Sequence, residues 1–405
     1  MLRDETEERS LDRVGLWRRL DSPGWAAAMT AAVALVFVLL RLVANGGDPS
    51  AFVVAGDRFV DPRTAPAELT VREDSPGYDG AFVYRLALDP FTDRQVADGI
   101  TLDNPSYRQQ RIGLPVVAWL VAAATPLPLP LILILVNALA LVGAGWFGAR
   151  FAQAYGRHAS LGVLLAVSPG VLIGLARDLN EPLAWLGLLA GLWWWRSERY
   201  PLAVAAFSAA ALTRETTLVV VAGLGVWELV AVARSGRQEL RRRLPRVLWL
   251  LVPLACALAW QGWLYGVWGR LPVLSGQGNI GVPPFRMVTS LLDHDGGWLD
   301  AGRDALLSHL WLVERLWLLA FLAFVAWSLP RTRLPRGMRL GWVLALLLAL
   351  APAWERDVQF FRAATEAIGV GLLVLLARRD PRLGLPLAGT VAMVAVVAAA
   401  HTLAL

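Results

Sequence analysis

The apolar character of this sequence breaks at a few points where the residue types could do chemistry. In AALTRETTL (210–218), Arg214 and Glu215 interrupt an otherwise uncharged stretch from Tyr200 to Trp227. Charge is costly in hydrocarbon, so the pair either forms a tight hairpin outside the membrane or projects into a polar cavity. In a cavity an arginine is suited to neutralising a phosphate. WERDVQFFRAATE (354–366) repeats the pattern with Glu355, Arg356, Asp357, Arg362 and Glu366, and Arg362, beside Phe360 and Phe361, is a second phosphate candidate. In ARDLNEPL (176–183), Arg177, Asp178, Asn180 and Glu181 lie between two apolar runs too short to lift them fully into water. They either line a cavity or pair with one another in a polar turn.

The carboxylate best placed to act as a base is Asp79. It falls in the first turn of a short amphipathic helix within GYDGAFVYRLALDPF (77–91), which closes at Asp89-Pro90 and whose Phe82, Leu86 and Leu88 are expected on the membrane surface. The alternative role for Asp79 is plain helix-dipole stabilisation. Tyr78 and Tyr84 flank it as supporting contacts, and SYRQQRIGLPVVAWLVA (106–122) adds Arg108, expected to snorkel to lipid headgroups, and Arg111. Loop 269–304, with Gly276–Gly281, is suited to closing over a bound lipid or acceptor. Its Asp293-His294-Asp295 falls short of a metal site. The absence of a phosphate-binding glycine loop, dinucleotide fingerprint, HExxH or nucleophile elbow argues against ATP hydrolysis and zinc proteolysis.

The elements that must position these residues follow from composition. Of 405 residues 57% are hydrophobic and 17% charged, which is too apolar for an ordinary soluble domain. The apolar residues gather into uncharged runs of helix-spanning length and show no strand-like alternation, so the expected fold is an all-α polytopic membrane protein. Candidate spans are 25–43, 127–148, 159–176, 182–196, 200–213, 216–233, 247–268, 305–329, 340–353, 364–377 and 385–405, about eleven in all. Residues 1–24 form a cytoplasmic segment, partly an interfacial helix, and 25–405 a single transmembrane domain. The single cysteine, Cys256, excludes an internal disulfide.

Arginine placement sets the orientation. All 38 basic residues are arginine. If 111–126 stays outside as a re-entrant or interfacial helix, 22 of the 38 fall on the cytoplasmic side with the N-terminus, 14 outside and two within spans. Loop 44–126 and the polar turns at 177–181, 214–215, 269–304 and 354–363 then share the outer face, so function should face outward.

The run YDGAFVYRLALDPF, the RIGLPVVAWL segment, LNEPL and ALTRE together resemble the GT-C superfamily of polytopic glycosyltransferases, which use lipid-linked sugars and include protein mannosyltransferases and aminoarabinose transferases. The resemblance spans roughly residues 25–235. It implies a large first outer loop with juxtamembrane helices and a polyprenyl-phosphate sugar as donor. Asp79 matches the first-loop acid, Glu181 the acid after the third span, and Arg214 the basic residue of the "LT-basic" pattern; Arg362 is the weakest match. The usual acid pair is here a single Asp79 followed by Gly80, so a divalent cation stays an open possibility and no metal ligand is assigned. The expected reaction is inverting transfer of a hexosyl or pentosyl unit to an envelope glycan, lipid or protein hydroxyl in a bacterial cytoplasmic membrane, with Asp79 as base, Arg214 and Arg362 on the donor phosphate, and Glu181, Arg177, Asp178, Tyr78, Tyr84, Arg111 and Glu215 supporting. Nothing points to nucleic acid. A lipid or polysaccharide transporter, or a non-catalytic subunit of an envelope complex, is the alternative from another class.

Overall fold

The computed structural model describes residues 20–234, 237–275, 281–292, 303–352, 354, 359–378 and 384–402. The proposed N-terminal interfacial helix, the Asp293-His294-Asp295 run, most of Gly276–Gly281, and Glu355, Arg356 and Asp357 lie outside them.

The chain is built from helices joined by short turns. The first, α1 (Pro23–Ala44), starts at Ser22, whose side chain accepts from the Trp25 amide at 3.2 Å, with proline at the first helical position. Its buried stripe, Ala26, Thr30, Ala34, Phe37 and Arg41, repeats at helical spacing, while Leu35, Val36, Leu39, Leu40 and Val43 stay exposed as a lipid-facing surface does.

Five helices among the described residues are long and apolar enough to cross a membrane: Pro23–Ala44, Leu129–Ala154, Glu215–Ala233, Glu239–Trp268 and His309–Arg331. A sixth crossing arises if Ala159–Ala166 and Pro169–Ala176, bent by 56° at the break before Pro169, count as one. This multi-pass helical architecture is as expected, but the number that pass is smaller than eleven. The difference has a physical reason: several apolar runs form helices of only 10–17 residues, Gly113–Ala124, Tyr200–Thr213, Thr365–Leu376 and Gly384–Ala400. A 12-residue helix rises only about 18 Å against about 30 Å of hydrocarbon, so Gly113–Ala124 is too short to cross.

Loop 44–126 is a folded unit, and it corrects two expectations. It carries two small two-stranded sheets, β1 (Ala55–Gly56) parallel to β2 (Val71–Arg72) and β3 (Val96–Ala97) antiparallel to β4 (Ile100–Thr101), in a chain expected to be all helical. Helix α2 (Gly80–Leu88) does not lie on the membrane surface. Phe82 and Leu86 are buried with Leu102 against Phe59, and Val83, Tyr84 and Ala87 pack on Leu114 and Ala118. The loop has its own apolar core, which competes for those side chains better than an interface does.

After α3 (Pro105–Gln109) and α4 (Gly113–Ala124), the long α5 (Leu129–Ala154) packs against α1. Then come α6 (Gly162–Ala166), α7 (Pro169–Ala176), α8 (Glu181–Arg196), α9 (Tyr200–Thr213), α10 (Leu218–Ala233) and α11 (Arg237–Trp268). Close packing relies on small residues: a Cβ on Gly145 would sit 2.2 Å from Thr30 Oγ1, and one on Gly113 2.0 Å from Thr213 Oγ1. In the C-terminal half, α12 (Pro272–Ser275) and α13 (Phe285–Leu292) precede α14 (Arg303–Ser328), α15 (Arg336–Ala349), α16 (Gln359–Ala363), α17 (Thr365–Leu376) and α18 (Gly384–Thr402). Buried indoles find partners: Trp185 donates to the Leu165 carbonyl at 2.7 Å and Trp342 to that of Ala367 at 2.9 Å.

The arginine-rich turns gather at one end of the helices. Arg157 donates to the carbonyls of Leu376 and Arg378, Arg196 to the Tyr155 hydroxyl, and Arg246 pairs with Glu198. The polar residues singled out above lie at the other end of α8, α9 and α17.

Candidate functional site

A tight crossing delivers Asp79. Gly77 adopts φ +63° and passes so close to Gly56 that a Cβ would come within 2.5 Å of the Gly56 amide nitrogen, and Tyr78 N–H donates to the Val54 carbonyl at 2.8 Å. Gly80 starts α2 against the carbonyl oxygens of Arg177 and Val53, 2.5 and 2.6 Å from where a Cβ would lie. That close approach is the structural reason for a glycine beside Asp79. Asp79 occupies the N-cap position of α2 but makes no capping bond. Its carboxylate instead takes one guanidinium on each oxygen: Arg108 Nη1 donates to Oδ1 at 2.8 Å and Arg362 Nη1 to Oδ2 at 3.0 Å. Ion pairing therefore fixes it, rather than the helix dipole.

Arg362, on α16, is the hub. Besides Asp79 it donates through Nε to Glu181 Oε1 at 2.8 Å and through Nη1 to the Tyr78 hydroxyl at 3.1 Å. Behind it, Arg214 at the end of α9 lies 3.4 Å from Glu181 Oε1 and 3.7 Å from Glu366 Oε1, and its Nη2 donates to the Arg362 carbonyl at 2.6 Å. Thr216 donates to Glu366 at 2.6 Å. Arg214 and Glu215 thus project into the bundle. Glu215 accepts both Nε and Nη2 of Arg111, at 3.0 and 2.7 Å. Arg108 holds Asp103 in the same two-pronged way at 2.8 and 2.7 Å, with its guanidinium 4.3 Å from the Phe82 ring centroid.

The structure therefore brings together Asp79, Tyr78, Arg111, Glu181, Arg214, Glu215 and Arg362, with Arg177 stacked 4.0 Å from the Tyr78 ring centroid. Two candidates stand apart. Tyr84 is fully buried in the loop core and donates to Glu68 at 2.7 Å, because α2 turns it away from Asp79. Asp178, at φ +47°, is fully buried beneath its turn with Arg41 and Asn137 as neighbours; burial pushes its carboxyl well above the usual range, outweighing the opposing effects of Arg41 and Asn137. Arg108, expected to snorkel to headgroups, belongs to the site. Its place three residues before Arg111, across the end of α3, was the available signal.

A small polar pocket opens among these groups, lined by Asp79, Phe82, Val83, Leu86, Tyr107, Arg108, Arg111, Leu179, Asn180 and Arg362. Arg214 is not in its wall: its side chain is only 5% exposed and it stands behind Glu181 as a clamp. Burial would push the Asp79 carboxyl up, but Arg362, Arg108 and Arg111 outweigh it and hold it down at about 2. Each carboxylate bordering the pocket already faces an arginine, and the described residues contain no cluster of three or more His, Cys, Asp or Glu that could hold a metal ion. With its carboxylate held between two guanidiniums, this lining does not fit a divalent cation.

Beside the polar pocket runs an apolar groove of about 1230 Å³, walled by Ile112, by Gly113, Val116 and Val117 of α4, Leu183, Leu186, Gly187, Ala190 and Trp194 of α8, Ala206, Ala209 and Leu212 of α9, and Cys256, Ala259, Trp260 and Trp263 of α11. The two linings are consecutive in the chain: Arg111 faces the polar pocket and Ile112 the groove, and Asn180 and Leu183 divide in the same way. The C-terminal part of α11 is tied across α3, Trp260 and Trp268 donating to the backbone and side-chain oxygens of Gln109 at 3.2 and 2.6 Å.

No protein-family model and no curated protein matches this sequence.

Proposed function

We propose that the chain is a GT-C-type glycosyltransferase that moves a hexosyl or pentosyl unit from a polyprenyl-phosphate donor to a hydroxyl of an envelope glycan, lipid or protein at the outer face of a bacterial cytoplasmic membrane. The observation that carries this reading is the junction at Arg111 and Ile112. An arginine-lined pocket of about 20 Å³, closed down by its carboxylate, meets a long apolar groove, which matches the polarity of an isoprenoid tail ending in a charged phosphate. In this reading the short apolar helices other than Gly113–Ala124 are crossings that stop below the outer surface, which brings the count towards eleven and leaves room for the pocket.

The reaction is a single displacement. The acceptor oxygen forms a bond to the anomeric carbon as the bond from that carbon to the phosphate oxygen breaks, inverting the centre. The acceptor's proton passes to Asp79, and the lipid phosphate leaves with its added charge on Arg108, Arg111 and Arg362. Arg214 sets the position of Glu181 and Arg362 and does not touch the phosphate. This moves the phosphate role from Arg214 to the arginines that line the pocket. Tyr78 and Arg177 support Arg362 from one side, and Glu215 holds Arg111 from the other.

Purified protein in vesicles, given polyprenyl-phosphate carrying labelled hexose or pentose and an envelope extract as acceptor, tests the reading. A glycosidic product supports it. Translocation of the lipid without product points to a transporter, and neither outcome leaves the role of a non-catalytic subunit.

A further inference from the structure

Every arginine that lines the polar pocket is already paired. Arg108 is shared by Asp103 and Asp79, Arg362 by Glu181 and Asp79, and Arg111 is held by Glu215. Among the described residues, Arg111 Nη1 and Arg362 Nη2 face no carboxylate, but a phosphate that settles between Arg108 and Arg362 must displace one. Glu181 is 1% exposed and fixed between two arginines, so it cannot withdraw without leaving a charge buried. Asp79 is 30% exposed, is held by side-chain contacts alone, and bridges two guanidiniums within the pocket itself. It already occupies the position between Arg108 and Arg362 that a two-oxygen anion would take.

We infer that Asp79 and the donor phosphate compete for Arg108 and Arg362, so that the donor frees the base it needs. With both oxygens engaged, the carboxylate is a poor proton acceptor. Once a phosphate takes the guanidiniums, Asp79 loses two positive partners and gains a negative neighbour, and its proton affinity rises. The other groups facing it do not cancel this change: Arg111 keeps Glu215, Glu181 stays on Arg362 and Arg214, Asp103 stays beside Arg108, and Tyr78 stays stacked against Arg177. An order of events follows. Donor binds first, and the acceptor hydroxyl meets an active base only afterwards. The inference rests on the transferase reading and adds to it a device that keeps the empty site inert.

The test uses the full chain in detergent micelles and a methyl polyprenyl phosphodiester as probe, whose single negative charge does not titrate between pH 5 and 8. The wild-type protein should bind this probe more tightly as pH falls below the raised bound-state proton affinity of Asp79, by at most about tenfold per pH unit, because binding there takes up a proton, while above it the carboxylate stays free to act as base. Asp79→Asn should bind it at least about tenfold more tightly at pH 7 and lose the pH dependence, since no carboxylate competes. Protection of Cys256, in the groove wall, from a hydrophobic maleimide reports separately whether the tail is seated. If the probe protects Cys256 with equal affinity and equal pH response in both proteins, competition is refuted while the lipid-donor reading stands. If neither protein binds the probe, both fall. The wild-type pH response needs no variant, so a misfolded Asp79→Asn protein would not rescue the inference.

Discussion

Replacing Arg214 by methionine separates a clamp from a phosphate ligand. The guanidinium is almost wholly buried and serves Glu181, Glu366 and the Arg362 carbonyl at once. Removing one partner of a buried ion pair typically costs about 3 to 5 kcal/mol. The lower end applies here, because Glu181 keeps Arg362 at 2.8 Å and Glu366 keeps the Thr216 hydroxyl at 2.6 Å, while the two carboxylates stand at the longer distances of 3.4 and 3.7 Å from Arg214 itself. A loss of about 3 kcal/mol is therefore expected for Arg214→Met. Adding Glu366→Gln removes the carboxylate left without an arginine, and should restore about 1 to 2 kcal/mol as a coupling between the two sites. Unfolding in mixed micelles followed by tryptophan fluorescence measures both, and the phosphodiester probe measures binding by the folded fraction, which should weaken by no more than about threefold because Arg362 keeps Glu181. If Arg214→Met keeps wild-type stability and loses affinity for the probe about tenfold, the guanidinium faces the ligand and the clamp assignment is wrong.

Other expectations can be checked with the same preparations. Asp79→Asn should remain folded and membrane-inserted while transfer of labelled sugar falls by about 100-fold or more; retained transfer would remove Asp79 from the role of base. Because the folded-state value for Asp79 lies below its ordinary one, its ion pairs stabilise the empty protein fully above about pH 4 and lose that contribution as pH falls towards 2. The stability gap between wild type and Asp79→Asn should therefore be constant from pH 5 to 8 and shrink below pH 4, as thermal scans across pH would show. Gly113→Val must push α4 away from Thr213, destabilising the protein by about 1 to 3 kcal/mol and weakening lipid binding, both measurable against Gly113→Ala as the milder step. Ala209→Trp, which fills the groove wall without touching the pocket, should raise the donor KM more than it lowers kcat.

The hydropathy pattern made the helices legible, the apolar run over 159–176 and the short helix at 113–124 among them, but it read the former as one span and not as two helices bent by 56°. It could not show that Phe82 and Leu86 are buried inside the first loop, because an amphipathic helix reads the same whether its apolar side meets lipid or a protein core. Tyr84, three residues before Ala87 on the same helix, falls outside the site for that reason. Arg108 was missed because an arginine beside an interface has an ordinary explanation, and only its distance of 2.8 Å from Asp79 sets that explanation aside.

From the sequence alone came the chemical kind of each group and the end of the bundle it occupies, because the cost of charge in lipid and the placement of arginine act on each segment separately. Which arginine meets which carboxylate was decided only by tertiary structure. Asp79 and Arg362 are 283 residues apart, and Arg214 donates to a carbonyl 148 residues away. Ion pairing depends on separations of a few ångströms, which no local property of the chain encodes, so the pairing that makes Arg362 the hub and Arg214 its support emerges only when the helices pack.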